Sequence, residues 1–429
     1  MEMIREAAIR GREAFLKMQN LTNEVRDRAL LEIGKELASR ELSIVSANHK
    51  DMDQAARSGL AKPLLKRLKY DSEKVKESIT MLHSLKDQEA VLGRVLSRTE
   101  LDDSLVLEKI TCPIGVIGVV FESRPEALVQ ISALCLKSGN AVLLKGGVEA
   151  KNTNEALADA ITTALARIDA RFADSVQLLS TREEFQKLLE QDDLVDLIIP
   201  RGSNELVRSI QAKTKIPVMG HAAGICHTYV DDNADLDLAV KVCYDAKVQY
   251  PAVCNAMETL LVHQNVAESF LPKMAKMYEG AKVELRGDSA TRRIITVNAA
   301  TEEDWSAEYN DLVLSIKIVS GLDEAIGHIN RYGSHHTDAI ITNDEAKAAK
   351  FQKEVDSSSV MWNCSTRFAD GYRYGLGAEV GISTNKTHAR GPVGLEGLVI
   401  YKYHLKGNGH VVADYVGPNA KKFTHRRLA

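Results

Sequence analysis

The sequence predicts an α/β protein built on parallel sheet, and three observations predict it. Beyond about residue 111, short apolar runs alternate with segments of helical periodicity. Each run is short and nearly all apolar, as strands buried on both faces are. Proline and glycine mark the junctions, with Pro125 opening one helical segment and Gly139 closing it. Strand, helix and strand in that order make a parallel sheet with helices on both faces.

Residues 1–90 are helical in pattern, with Leu30, Leu31, Ile33 and Leu37 at helical spacing. "RVLSRTELDDSLVLEKI" (94–110) holds two strand-like runs around Asp102-Asp103, a hairpin. "IGVIGVVF" (114–121) is a strand, "PEALVQISALCLKSGN" (125–140) a helix and "AVLLK" (141–145) a strand. "NTNEALADAITTALARI" (152–168) is a helix with Leu157, Ala160, Ile161, Ala164, Leu165 and Ile168 on one face. Asn152 and Glu155 have the spacing of a capping box. "VQLLS" (176–180), a helix from about Arg182, and "LVDLIIP" (194–200) continue the alternation. A second α/β segment runs from about 235 to 385, with helices at "DLDLAVKVCYDAKV" and "LDEAIGHINRYG" and strands at "TLLVH", "VLSIKIV" and "DAIIT". Glycine-rich segments then lead to a strand, "VIYKYHL".

The chain has 429 residues, a length suited to two or three domains. A net charge of -4 gives no electrostatic footprint for nucleic acid or an anionic membrane. No apolar run approaches the roughly 20 residues that span a bilayer. "MEMIREAAIRGREAF" has the pattern of a charged amphipathic helix rather than a secretion signal. The six cysteines form no C-x-x-C pair and match no zinc or disulfide framework. The expectation is free thiols, no metal and a cytoplasmic location, with a processed organellar form as the alternative.

Cys254 stands out in "KVQYPAVCNAMETLLVH" (247–263), on a short proline-containing turn between a helix and a strand. A turn can present a sulfur to a cleft and stabilise its thiolate, whereas a structural cysteine prefers an apolar run. "IIPRGSNELV" (198–207) gives a strand, a turn at Gly202 and a helix start at Ser203 or Asn204, which suits a phosphate or serves as an ordinary cap. No G-x-G-x-x-G is present. In "LLKGGVEA", Lys145, Gly146 and Gly147 end a strand, either as a phosphate approach or as a plain turn. Ser123 and Arg124 follow another strand, at the edge where open α/β sheets bind ligands. Ser365, Thr366 and Arg367 form a further polar cluster, and arginine suits carboxylate or phosphate. His221 and His227 flank "AAGIC" and carry less weight.

These segments, with "CPIGVIGVVFESRPEA", "VDSSSVMWNCSTRFADG" and "GLGAEVGISTNKTHARGPVGLEGL", together resemble the gamma-glutamyl phosphate reductases, or glutamate-5-semialdehyde dehydrogenases, of the aldehyde dehydrogenase superfamily. The resemblance covers nearly the whole chain. It implies an aldehyde dehydrogenase-like fold: a parallel-sheet NADP-binding domain (1–91 and 111–232), an α/β catalytic domain (233–390), and a small β oligomerisation element (92–110 and 391–429). It implies that Cys254 is the nucleophile and Lys145 lies by the adenosine ribose, where a 2′-phosphate would sit. Arg201, Gly202 and Ser203 fall on the turn beneath the pyrophosphate, and Glu308 on the glutamate that holds the nicotinamide ribose. Ser123 falls on or near the oxyanion-hole asparagine, beside the backbone N–H of Cys254.

The implied reaction is NADPH-dependent reduction of L-glutamyl 5-phosphate to L-glutamate 5-semialdehyde through a cysteinyl thioester, the second step of proline synthesis. Arg124, Ser365 and Arg367 are the candidates for binding the substrate's phosphate and α-carboxylate. Aldehyde-oxidising relatives carry a general-base Glu about where His221 stands. A reductase that must keep its thioester for hydride has no use for a base that activates water. A homo-oligomer, dimer or tetramer, and a functional link to glutamate 5-kinase are also implied. The other readings are a hydrolytic or CoA-acylating thiol dehydrogenase, a nucleotide-binding subunit without chemistry, and one half of a bifunctional synthetase.

Overall fold

The computed structural model describes residues 2–221 and 223–428; Ala222, inside "GHAAGIC", lies outside them. Helices Glu2–Met18, Asn23–Ser39, Glu41–Arg57, Lys62–Leu68 and Ser72–Asp87 occupy the first ninety residues. Asn23–Ser39 buries Leu30, Ile33 and Leu37 and is capped by Thr22. Their apolar faces join one core with a four-stranded parallel sheet.

That sheet has the order Val176–Leu178, Ala141–Gly146, Val116–Phe121, Leu197–Arg201. Its two central strands are buried along their whole length, which is why they read as continuous apolar runs. The register brings the strand ends level, because Phe121 pairs with both Gly146 and Arg201. Residues 122–124, 145–147 and 201–203 therefore emerge along one edge.

The second sheet has seven strands and entirely parallel pairing, in the order Asn298–Ala299, Glu284–Gly287, Val313–Val319, Met257–His263, Cys226–Val230, Thr337–Ile341, Ser359–Trp362. Cys226–Val230 sits inside it, so this unit begins before residue 226 rather than at 233. Residues 378–399 depart from the expected division in the other direction. Ala378, Val380, Val393 and Leu395 pack into the first core. The chain thus crosses back over the cleft between the two sheets.

The hairpin Val95–Asp102 and Leu105–Pro113 forms around Asp102-Asp103 as the sequence predicts. Strand Val399–Lys406 pairs with its second arm and Arg426–Leu428 with its first, giving a four-stranded antiparallel sheet. The expected Asn152/Glu155 capping box is not what starts helix Lys151–Ile168. The Asp51 carboxylate, from helix Glu41–Arg57, accepts the backbone N–H groups of Asn152 at 3.2 Å and Thr153 at 2.8 Å. A partner from another helix meets the need that local sequence was expected to meet.

Candidate active site

Cys254 lies on the turn between helix Leu236–Val248 and strand Met257–His263. Two groups fix this turn from below. The buried Cys226 thiol donates to the Cys254 carbonyl at 3.2 Å. Gly224 packs so closely that a Cβ there would lie 2.2 Å from the Cys254 carbonyl oxygen and 2.4 Å from its Cα. Only glycine fits. From the other side, Arg67 donates to the Ala252 carbonyl at 2.9 Å and anchors the lead-in.

Two histidines flank the sulfur. Ligating atoms of His221, Cys254 and His336 all lie within 4.8 Å of one another. His221 Nδ1 stands 2.8 Å from the carbonyl oxygen of Ile382. A carbonyl only accepts, so Nδ1 carries the proton and Nε2 is left for the thiol. His336 is fully buried, with Nδ1 2.9 Å from Thr337 Oγ1. Burial alone would raise the Cys254 thiol pKa. The charges of His336 and then His221, which flank the sulfur, outweigh burial and hold it well below the ordinary range. For His221, burial opposes protonation, but the neighbouring thiolate and the Ile382 carbonyl raise its pKa to about 9. Each charged form supports the other, and a thiolate beside an imidazolium is the state in which cysteine attacks.

Cys254 and His221 open into a cavity of about 970 Å³ that also presents Arg67, Arg124, Arg201, Arg367 and Arg373. Burial lowers the Arg124 pKa, and the positive charges of Arg201 and Arg67 lower it further. Arg373 pairs with Asp370 at 3.4 Å, and Glu122, Glu308 and Glu379 also line the cavity, but among the described residues Arg67, Arg124, Arg201 and Arg367 make no salt bridge and are left for an anionic ligand. Arg367, with Nε donating to Gln249 Oε1 at 3.0 Å, faces the same space. A second cavity of about 680 Å³ adjoins it and shares Arg124 and Arg201.

The first cavity's other end carries Gly202, Ser203 and Glu308. Ser203 caps helix Asn204–Lys213 and its N–H donates to Glu122. A Cβ on Gly202 would come within 2.6 Å of that Glu122 carboxylate. Glu308 accepts from Asn204 at 2.6 Å and from the Gly224 N–H at 2.9 Å, tying this end to the Cys254 turn. A helix start at the cavity wall, a glycine turn and a fixed carboxylate suit a dinucleotide's diphosphate and ribose.

Not every expected residue reaches the cavity. Ser123, at φ +46°, is buried, and both its N–H and its Oγ donate to Glu149 Oε1 at 2.7 Å. It does not face Cys254 as an oxyanion donor would. Lys145 is buried and bonds the Gly146 carbonyl, and a Cβ on Gly147 would meet the Glu149 carboxylate at 2.0 Å. Burial lowers the Lys145 pKa while Glu149 raises it. Ser365 is buried as well, its Oγ accepting the Arg367 N–H, so it shapes the turn that carries Arg367. His227 is in the sheet, with Nδ1 2.9 Å from Asp338, away from the cleft. Sequence reasoning missed His336, Gly224 and Arg67. The doublet His335-His336 just before a strand was the one local signal.

The sequence profile of the aldehyde dehydrogenase family matches residues 1–309. The gamma-glutamyl phosphate reductase of Pelotomaculum thermopropionicum is 56% identical over 423 residues, covering 99% of this chain and 97% of the relative. That of Methanosarcina barkeri is 52% identical over 437 residues, with 100% and 98% covered. The crystal structure of gamma-glutamyl phosphate reductase from Thermotoga maritima superposes with a TM-score of 0.92 at 38% identity, covering 95% of this chain and 99% of that one. An acetylating aldehyde dehydrogenase from Geobacillus thermoglucosidasius, 15% identical with a TM-score of 0.67, shares the fold. The family profile, the full-length kinship and the shared fold agree: the chain belongs to the aldehyde dehydrogenase family and, within it, to the gamma-glutamyl phosphate reductases.

Proposed function

We propose that the protein reduces L-glutamyl 5-phosphate to L-glutamate 5-semialdehyde and inorganic phosphate, with NADPH as hydride donor, in the second step of proline synthesis. The observation that carries this reading is the Cys254 sulfur between two imidazoles in an arginine-lined cavity. A thiolate suits acyl transfer, and the arginines suit a doubly anionic substrate.

The chain's own groups divide the work. Arg124 and Arg367 hold the substrate's phosphate and α-carboxylate, with the acyl carbon over Cys254. The thiolate adds to that carbon and the carbon–oxygen bond to phosphate breaks. His221 gives its proton to the departing phosphate; with the thiolate consumed, the anion that kept it protonated is gone. A bound reduced nicotinamide supplies a hydride to the thioester carbonyl. The backbone N–H of Cys254 steadies the oxyanion that results, a contact worth on the order of 3 kcal/mol. Collapse of the thiohemiacetal breaks the carbon–sulfur bond, releases the aldehyde and restores the thiolate. His221, rather than a carboxylate base, stands at the position of the general-base Glu in aldehyde-oxidising relatives.

Glu308 holds the nicotinamide ribose, residues 201–203 the diphosphate, and the turn at Lys145, Gly146 and Gly147 the adenosine end, where Lys145 must first leave the Gly146 carbonyl to meet a 2′-phosphate. The four-stranded parallel unit is the cofactor domain, the seven-stranded unit the catalytic domain, and the antiparallel sheet the seam of a homo-oligomer. Six free cysteines, three of them buried, suit a reducing cytoplasm. Because acyl phosphates hydrolyse readily, a kinase acting on glutamate is the natural supplier.

The test is Cys254→Ala in the reverse direction, following NADP+ reduction with semialdehyde and phosphate. The variant should lose at least about a thousandfold in rate while still binding NADPH. Retained turnover would overturn the reading, as would wild-type activity that needs coenzyme A in place of phosphate.

A further inference from the structure

We propose that Cys254, His221 and His336 bind a thiophilic divalent cation, zinc above all, and that the bound ion reversibly blocks the enzyme. The three donors are one sulfur and two imidazole nitrogens, a set that suits tetrahedral zinc with one position left open. All lie within 4.8 Å of one another. Zinc–nitrogen bonds of about 2.0–2.1 Å and zinc–sulfur bonds of about 2.3 Å give tetrahedral edges of roughly 3.5 Å. Modest rotation of the side chains closes that difference.

Three further features favour the ion. The His221 Nδ1 bond to the Ile382 carbonyl and the His336 Nδ1 contact with Thr337 Oγ1 leave each ring's Nε2 available and hold each ring in place. His336 Nε2 is buried and has no hydrogen-bond partner, a vacancy that costs free energy and that a metal fills. Zinc replaces the proton shared between the sulfur and His221 Nε2, and that proton leaves to solvent, so uptake weakens as pH falls. The open position faces the arginine-lined cavity, where a water, chloride or phosphate oxygen completes the shell. The bound sulfur's lone pair is then committed, and it cannot attack an acyl carbon. Cys226, whose Sγ is 3.8 Å from His336 Nδ1, lies on the other side of that ring and is not a ligand.

The test uses metal-free, full-length enzyme titrated with Co2+ and then Zn2+, with no substrate present. Wild type should take up one Co2+ per chain with a thiolate-to-cobalt charge-transfer band in the near ultraviolet, displaced by Zn2+. Cys226→Ser should keep the band, and Cys254→Ser should lose it while still binding NADPH. His336→Gln should weaken binding by at least about tenfold. Zn2+ should also slow alkylation of Cys254 by iodoacetamide, and a chelator should restore it. A missing band in wild type, a band that survives Cys254→Ser, a band abolished by Cys226→Ser, or alkylation indifferent to Zn2+ would each overturn the proposal. None of these readouts needs turnover, so they stand apart from the identity of the substrate.

Discussion

At the scale of single residues, the site depends on how two imidazoles outweigh burial at one sulfur. His336 is the larger of the two opposing charges on Cys254. His336→Ala should therefore move the midpoint of Cys254 alkylation upward, toward the ordinary thiol value of about 8.5. A pH series of iodoacetamide rates reads this directly, and an unmoved midpoint contradicts it. The pH profile of kcat/KM follows with its sign. As pH falls through the depressed thiol pKa, the thiolate is protonated and the rate drops. As pH rises past about 9, His221 loses its proton and the acid for the leaving phosphate is lost. His221→Ala should flatten the alkaline limb and cost about a hundredfold in rate. Cys254 was legible because a turn is an unusual place for a cysteine in this chain. His336 was not, because only folding brings its strand beside the nucleophile. Ser123 departs from expectation for a related reason: the hydroxyl stands at the right edge but is turned to Glu149, a partner that spacing does not reveal.

Among secondary-structure elements, the decisive contacts are backbone against backbone. Gly224 leads into strand Cys226–Val230 and supports the Cys254 turn from below. Gly224→Ala should cost about 1–3 kcal/mol in stability and about a hundredfold or more in kcat, because the nucleophile's turn must move. Chemical denaturation and turnover check the two parts separately, and a variant with unchanged kcat argues against the close approach. The cap supplied by Asp51 makes a second prediction. Asp51→Ala leaves the Asn152 and Thr153 amides without their acceptor and should lower stability by about 2 kcal/mol, read from urea unfolding. Apolar periodicity made the long helices and inner strands legible, and Leu157, Ala160, Ile161, Ala164 and Leu165 are buried as their spacing predicts. Short elements were less legible. Strand Cys226–Val230 has the sequence CHTYV, where His227 and Thr228 interrupt the apolar pattern, and the Asp338 carboxylate meets the histidine only in the assembled sheet.

Across the whole molecule, two parallel sheets face each other over a cleft, and a third, antiparallel sheet extends beyond them. The parallel pairing was readable from the alternation of strands with helices. The division into units was not, because residues 226–230 and 378–399 each join the core that their place in the chain does not suggest. Strand Val399–Lys406 ends its sheet with an open edge and turns Tyr401, Tyr403 and Leu405 outward on one face, each at least half exposed. An edge of this kind invites pairing with a second copy. The double substitution Tyr403→Asp, Leu405→Asp should shift the protein to a monomer in sedimentation, and an unshifted oligomer would place the seam elsewhere.

The most direct test of the central claim is intact-protein and peptide mass spectrometry of wild-type enzyme mixed with L-glutamyl 5-phosphate in the absence of nucleotide. The account predicts one glutamyl acyl group per active chain, mapped to Cys254 and lost on adding NADPH as semialdehyde forms. An unmodified Cys254 in enzyme that nonetheless turns over would contradict it.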